Sequence, residues 1–130
     1  MNAYVIDTHA LFWYLVDSPK LSKRANIIFD EGDAGLAQLH VPAIVLAELY
    51  FTNENMNRPL NFAEAFIRLQ QAPQFVLSSD TPEHTLDFDL TKAAVEMHDR
   101  MIVGLALRRR IPLVTRDKRI TASNLVQTIW

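Results

Sequence analysis

Four carboxylates stand beside apolar segments in widely separated parts of the chain. Asp7 follows Ala3-Tyr4-Val5-Ile6, Glu48 lies inside Ala43 to Phe51, Asp99 opens a helical stripe, and Asp117 follows Ile111 to Thr115. Like charges gathered at about 4 Å repel by several kcal/mol per pair in a partly screened site. A fold that brings them together therefore needs a cation. Oxygen-only ligation suits a hard ion, Mg²⁺ or Mn²⁺, and the absence of cysteine removes the thiolate route to zinc. His9, His40, His84 and His98 show no paired metal-ligand spacing and read as surface or helix-cap residues.

Each acid also has an ordinary structural reading. Asp7, between a strand and a helix, is a good N-cap. Asp99 at a helix start is favoured by the helix dipole alone. Asp117 in Thr115-Arg116-Asp117-Lys118-Arg119 could be a loop acid balanced by its neighbours. Glu48 is more telling, because Ala43 to Phe51 has almost no polar face, and burying an unpaired carboxylate there is unfavourable. It sits on a wet edge, pairs with an arginine such as Arg100 or Arg116, or is aimed at a cation.

The elements that must position these groups follow from apolar periodicity and turn residues. Val5-Ile6 ends a short strand, and a helix runs on through Leu11, Trp13 and Leu15. Asp17-Ser18-Pro19 breaks it, Leu21 to Asp30 restarts a helix, and Gly32 and Gly35 mark a loop. Leu39-His40-Val41 is a strand, with Pro42 at the first turn of the helix to about Phe51. Asn53 to Pro59 is turn-like, Phe62, Ala65, Phe66 and Leu69 repeat at helical spacing, and Phe75-Val76-Leu77 is a strand. Leu90 to Met97 reads as helical. A clearer helix runs from Asp99 to Arg109 with Ile102, Val103, Ala106 and Leu107 inward. Ile111 to Thr115 and Leu125 to Trp130 read as the last strands. This alternation predicts an α/β three-layer sandwich on a mainly parallel sheet, whose ligands gather at the carboxyl ends of strands. Asp7 and Asp117 fall there.

A chain of 130 residues with 49% hydrophobic and 22% charged residues has the size and apolar content of one domain spanning residues 1–130. No cysteine and no long apolar run point to a soluble, cytoplasmic protein with no membrane span. The net charge of -2 conceals an uneven distribution, because seven of the 13 Lys and Arg residues lie between Arg100 and Arg119. Such a stretch could hold nucleic-acid phosphates near the acids. It could equally be a solvated helix end at Arg108 to Arg110.

Four segments carry a resemblance: Val5-Ile6-Asp7-Thr8, Ala47-Glu48-Leu49, His98 to Ala106, and Leu113-Val114-Thr115-Arg116-Asp117. In order and spacing they resemble the successive motifs of PIN-domain nucleases, most of all the VapC-like toxins of type II toxin–antitoxin modules. The resemblance implies a metal-dependent ribonuclease in which Asp7, Glu48, Asp99 and Asp117 hold Mg²⁺ or Mn²⁺, while Thr115 and Thr8 orient ligands or a phosphate. It further implies an RNA substrate, an antitoxin partner and a homodimer. Phe62, Phe66, Tyr50 and Phe51 could line a partner groove, though helical aromatics are more often core. Some family members carry a further acid after the last Asp. Here Lys118 and Arg119 stand, so a second metal position is left open.

A competing reading is a catalytically degenerate PIN-like module that binds RNA or protein. Phosphoryl-transfer proteins using a strand-end Asp fit worse, since His9 stands where the phosphatase version wants a second acid.

Overall fold

Val5 and Ile6 are neighbours in one strand, so their side chains point to opposite faces, yet both are fully buried. The same holds for Leu113 and Val114. Strands apolar on both sides need cover on both sides, which is the requirement for helices above and below a parallel sheet. The computed structural model describes residues 1–130. It places β1 (Asn2–Ile6), β2 (Ala37–Pro42), β3 (Phe75–Ser78), β4 (Leu113–Val114) and β5 (Thr128–Ile129) in one wholly parallel sheet, ordered β3-β2-β1-β4-β5. The expected α/β sandwich is the fold found. Between the strands run α1 (Thr8–Leu15), α2 (Lys23–Asp33), α3 (Ala43–Asn55), α4 (Phe62–Gln71), α5 (Met97–Arg109) and α6 (Lys118–Ser123). No helix is long and apolar enough to cross a membrane.

The strand order determines where a site can form. From β1 the chain moves outward through β2 to β3, then crosses back to lay β4 on the other side of β1. Connections leaving β1 and β4 therefore diverge, and a crevice opens beyond the carboxyl ends of these two strands. Asp7 ends β1, and its N–H bonds Val114 O at 3.0 Å. The positions of Asp7 and Asp117 thus follow from topology.

Several elements differ from the sequence reading. Gly32 is not in a loop but in the last turn of α2, where a Cβ would come within 2.9 Å of Leu39 Cδ1. Gly35, at φ 76°, is the true turn residue. Pro42 is the last residue of β2 and the N-cap of α3 rather than its first turn. The segment Leu90 to Met97 is not an α-helix. A 3-10 helix, Pro82–Asp89, precedes this stretch, a second, Lys92–Ala94, lies within it, and α5 begins at Met97, two residues before Asp99. The last two strands shrink to two residues each.

The helix α3, apolar nearly all round in sequence, buries only Val45, Leu49 and Asn53, a single stripe at i, i+4 and i+8. It packs against α1 and leaves Tyr50 and Phe51 43% and 65% exposed. It also outlasts its apolar run. Asn53 is buried, its side-chain amide donating to Leu60 O and its carbonyl accepting from Leu60 N, both at 2.9 Å. The polar residue that suggests a turn is instead the clasp between α3 and the approach to α4. Asn53→Ala should therefore strand two backbone groups and lower stability by about 1–3 kcal/mol in urea unfolding. A loss below about 0.5 kcal/mol would show that water satisfies both groups.

Candidate active site

The four acids arrive at the crevice on four different elements. Asp7 closes β1 and caps α1, Oδ1 accepting from Thr8 N at 2.7 Å. Its Oδ2 accepts from the hydroxyl of Thr115 at 2.5 Å. Thr115, 1% exposed just beyond β4, also accepts from Asp117 N at 3.0 Å. One buried hydroxyl thus links the ends of two adjacent strands and the two carboxylates that follow them. Asp117 caps α6 through Oδ1 alone, taking the N–H groups of Arg119 at 2.8 Å and Ile120 at 3.3 Å. Capping does not disqualify either acid, because a carboxylate oxygen keeps lone pairs beyond the bond it accepts.

Glu48 projects from α3 toward the same space. The hydroxyl of Thr8 donates to its Oε1 at 2.8 Å, and His98 Nδ1 lies 3.4 Å from its Oε2. Its partners are therefore Thr8 and His98, not Arg100 or Arg116. Asp99 differs again. Glu96 takes the N-cap of α5 and accepts from Asp99 N at 2.9 Å, so capping does not account for the Asp99 carboxylate. The capping reading of Asp7 holds, whereas Asp117 is a helix N-cap and not a loop acid balanced by its basic neighbours, none of which pairs with it. Asp99 lies in the first turn of α5, where the helix dipole favours an acid, but it is not the cap.

The cleft so formed has a volume of about 610 Å³ and no hydrophobic lining residue. Asp7, Glu48, Asp99 and Asp117 line it together with Thr8, His9, Thr52, Arg116 and Lys118. No Lys or Arg lies within ion-pair distance of the four acids. The electrostatic consequence is visible at Asp99. Partial burial, then the charges of Asp117, Asp7, Glu96 and Glu48, push its carboxyl up to about 7. Burial also raises Asp7, against the opposing hydrogen bonds from Thr115 and Thr8.

All-oxygen donors carrying uncompensated negative charge fit a hard divalent cation. The side chains as they stand form no closed cage of three or more ligands. They face a shared space across which they repel; Asp7, Glu48 and Asp117 are held by their own hydrogen bonds, and the Asp99 carboxylate is not.

The basic stretch is divided by the fold. Arg116 and Lys118 line the cleft. Arg108 and Arg109 end α5, roughly 15 Å along the helix from Asp99 at 1.5 Å per residue. Arg108 bonds Asp87 at 2.6 Å, and Arg100 donates to Phe88 O. Arg108 to Arg110 are thus exposed at the end of α5, outside the acidic cleft, as the helix-end reading expects.

His40 is buried rather than at the surface, and burial lowers its pKa. His84 does cap, Nδ1 accepting from Thr81 N. Sequence reasoning missed His9, Thr52 and His98 as cleft neighbours. Thr52 was findable, four residues after Glu48 and so on the same face of α3.

The family model described as the PIN domain matches residues 4–123. No curated protein matches the sequence. Among solved structures, VapBC2 from Rickettsia felis, bound to a DNA fragment from its promoter, gives a TM-score of 0.68 at 13% identity, covering 98% of this chain and 97% of that one. FitAB bound to an IR36 DNA fragment gives 0.67 at 17% identity over 97% and 93%. FitAcB from Neisseria gonorrhoeae gives 0.62 at 18% identity over 98% and 96%. At these identities the likeness is one of fold.

The raised Asp99 has a sign-defined effect on stability. Its folded value of about 7 exceeds the ordinary 3.8, so the folded state binds the extra proton, and stability falls as pH rises through that window. In EDTA, Asp99→Asn should melt higher than the parent above pH 7, and the gain should vanish near pH 4. A melting temperature below the parent's at every pH would show that Asp99 supports the fold.

Proposed function

The chain belongs to the PIN domain family, and from that premise we propose that it is a metal-dependent endoribonuclease, the toxin component of a type II toxin–antitoxin module. The observation that carries this reading is the delivery of Asp7, Glu48, Asp99 and Asp117 to one cleft that no hydrophobic residue lines, with no lysine or arginine paired to any of them. In this reading residues 1–130 are a single nuclease domain working in the cytoplasm as a homodimer, with an antitoxin as partner. The VapBC2 and FitAB structures, whose proteins are bound to DNA, support a two-component module.

The four acids would hold Mg²⁺ or Mn²⁺, and such an ion supplies an activated water and neutralises charge on the phosphate and leaving oxygen. The chain's own residues then have distinct tasks. Thr115 fixes the Asp7 carboxylate through Oδ2 and the Asp117 backbone through its N–H, so it positions two ligands at once. Thr8 does the same for Glu48. Both hydroxyls are thereby engaged as donors to carboxylates of the cleft. Asp99, with no such partner and a carboxyl pushed up to about 7, would have to give up its proton to hold the ion.

Asp7→Asn and Asp99→Asn should each abolish Mg²⁺-dependent cleavage of a mixed RNA pool while the circular dichroism stays that of the parent. Undiminished cleavage in both variants contradicts the assignment. Thr115→Val tests the positioning role separately. It should weaken apparent Mg²⁺ affinity by about 10–100-fold, with cleavage recovering at high Mg²⁺. An unchanged Mg²⁺ dependence would remove Thr115 from the site.

A further inference from the structure

Of the 13 Lys and Arg residues, only Arg116 and Lys118 line the acidic cleft. Lys118 is an exposed cation. Arg116 is exposed too, but it has an aromatic partner. Its guanidinium lies over the ring of Trp13 at 4.9 Å. Trp13 is itself 6% exposed and wedged against Trp130 at 5.7 Å and His9 at 5.4 Å. The indole therefore has no open face for a base and acts as a rigid shelf for the arginine. No carboxylate pairs with Arg116, although it stands in a cleft lined by four.

An arginine left unpaired among acids yet packed over an aromatic ring has its N–H fork available for a group from outside. The cation–π contact biases the side chain modestly toward this position and so offsets part of its ordering entropy on binding. The outside group must be an anion that approaches despite the carboxylates. We propose that Arg116, shelved on Trp13, binds an RNA phosphate adjacent to the one being cleaved and so sets how the strand lies across the acids. This inference rests on the nuclease reading above. Arg116 is a substrate-binding residue in it and Trp13 a positioning one. The bidentate fork suits a phosphate, which a lysine meets only as a point charge.

The test is binding of a fluorescein-labelled single-stranded RNA to the Asp99→Asn protein in EDTA, followed by anisotropy across a salt series. Adding Arg116→Ala should weaken binding by about tenfold or more and reduce the slope of log affinity against log salt by about 1. Arg116→Lys should keep the slope and lose several-fold in affinity. Arg119→Ala, an equal charge change outside the cleft, should have an effect of about twofold or less. Mn²⁺ affinity of the Arg116→Ala protein, read by calorimetry, should equal or exceed the parent's, because a cation has left the cleft. Unchanged RNA affinity and slope in Arg116→Ala would overturn the proposal, as would an equal loss in Arg119→Ala or a loss of Mn²⁺ binding. Failure of the nuclease reading has another signature, a parent that binds RNA through Arg116 but does not cleave it with Mg²⁺ or Mn²⁺. Failure of this inference alone leaves cleavage intact and RNA binding indifferent to Arg116.

Discussion

The hydroxyl of Thr115 is the point on which the site depends. It donates to Asp7 and accepts from the backbone of Asp117, and so joins the ends of two strands that topology has placed side by side at the crevice. Without it the second oxygen of Asp7 and the backbone N–H of Asp117 would lose their partner, although helix caps would still hold Asp7 Oδ1 and Asp117 Oδ1. The sheet supplies proximity, and the hydroxyl supplies orientation. The remaining acids are added from helices: Glu48 steadied by Thr8, and Asp99 on a helix whose cap is taken by Glu96. Repulsion that the protein does not neutralise is concentrated on Asp99, the acid with no hydrogen-bond tether.

The fold was legible where periodicity and topology coincide. Val5-Ile6 and Leu113-Val114 read as strands because both faces had to be apolar, and Asp7 and Asp117 could be placed from the strand ends alone. Legibility failed where a local signal had a non-local cause. Gly32 marks a turn by composition, but it is a helix residue made necessary by Leu39 against it. Asn53 looks like a breaker, but its amide is used seven residues further on at Leu60. The stretch before α5 reads as apolar helix, yet forms 3-10 turns with Leu86, Leu90 and Val95 largely exposed.

The site was legible as a set of residue types and not as a set of contacts. Spacing cannot say that Asp99 lies two residues inside its helix, or that Glu48 is met by Thr8 and His98 rather than by an arginine. Nor can it divide a basic stretch into its parts. Arg116 and Lys118 face the acids, whereas Arg108 and Arg109 end a helix whose far end carries Asp99. The division matters chemically. The cleft itself carries two cations, one of them packed over Trp13, in place of the seven that the linear sequence offers.

The central claim is that uncompensated carboxylate charge in this cleft is there to hold a divalent cation. Calorimetric titration of the parent with Mn²⁺ at pH 7, in two buffers of different ionisation enthalpy, tests it most directly. The account predicts saturable binding of about one ion per chain, with a buffer-dependent heat that reports a fraction of a proton released as Asp99 gives up its hydrogen. Absence of binding heat in both buffers would contradict it and leave the cleft to a module that binds without cleaving.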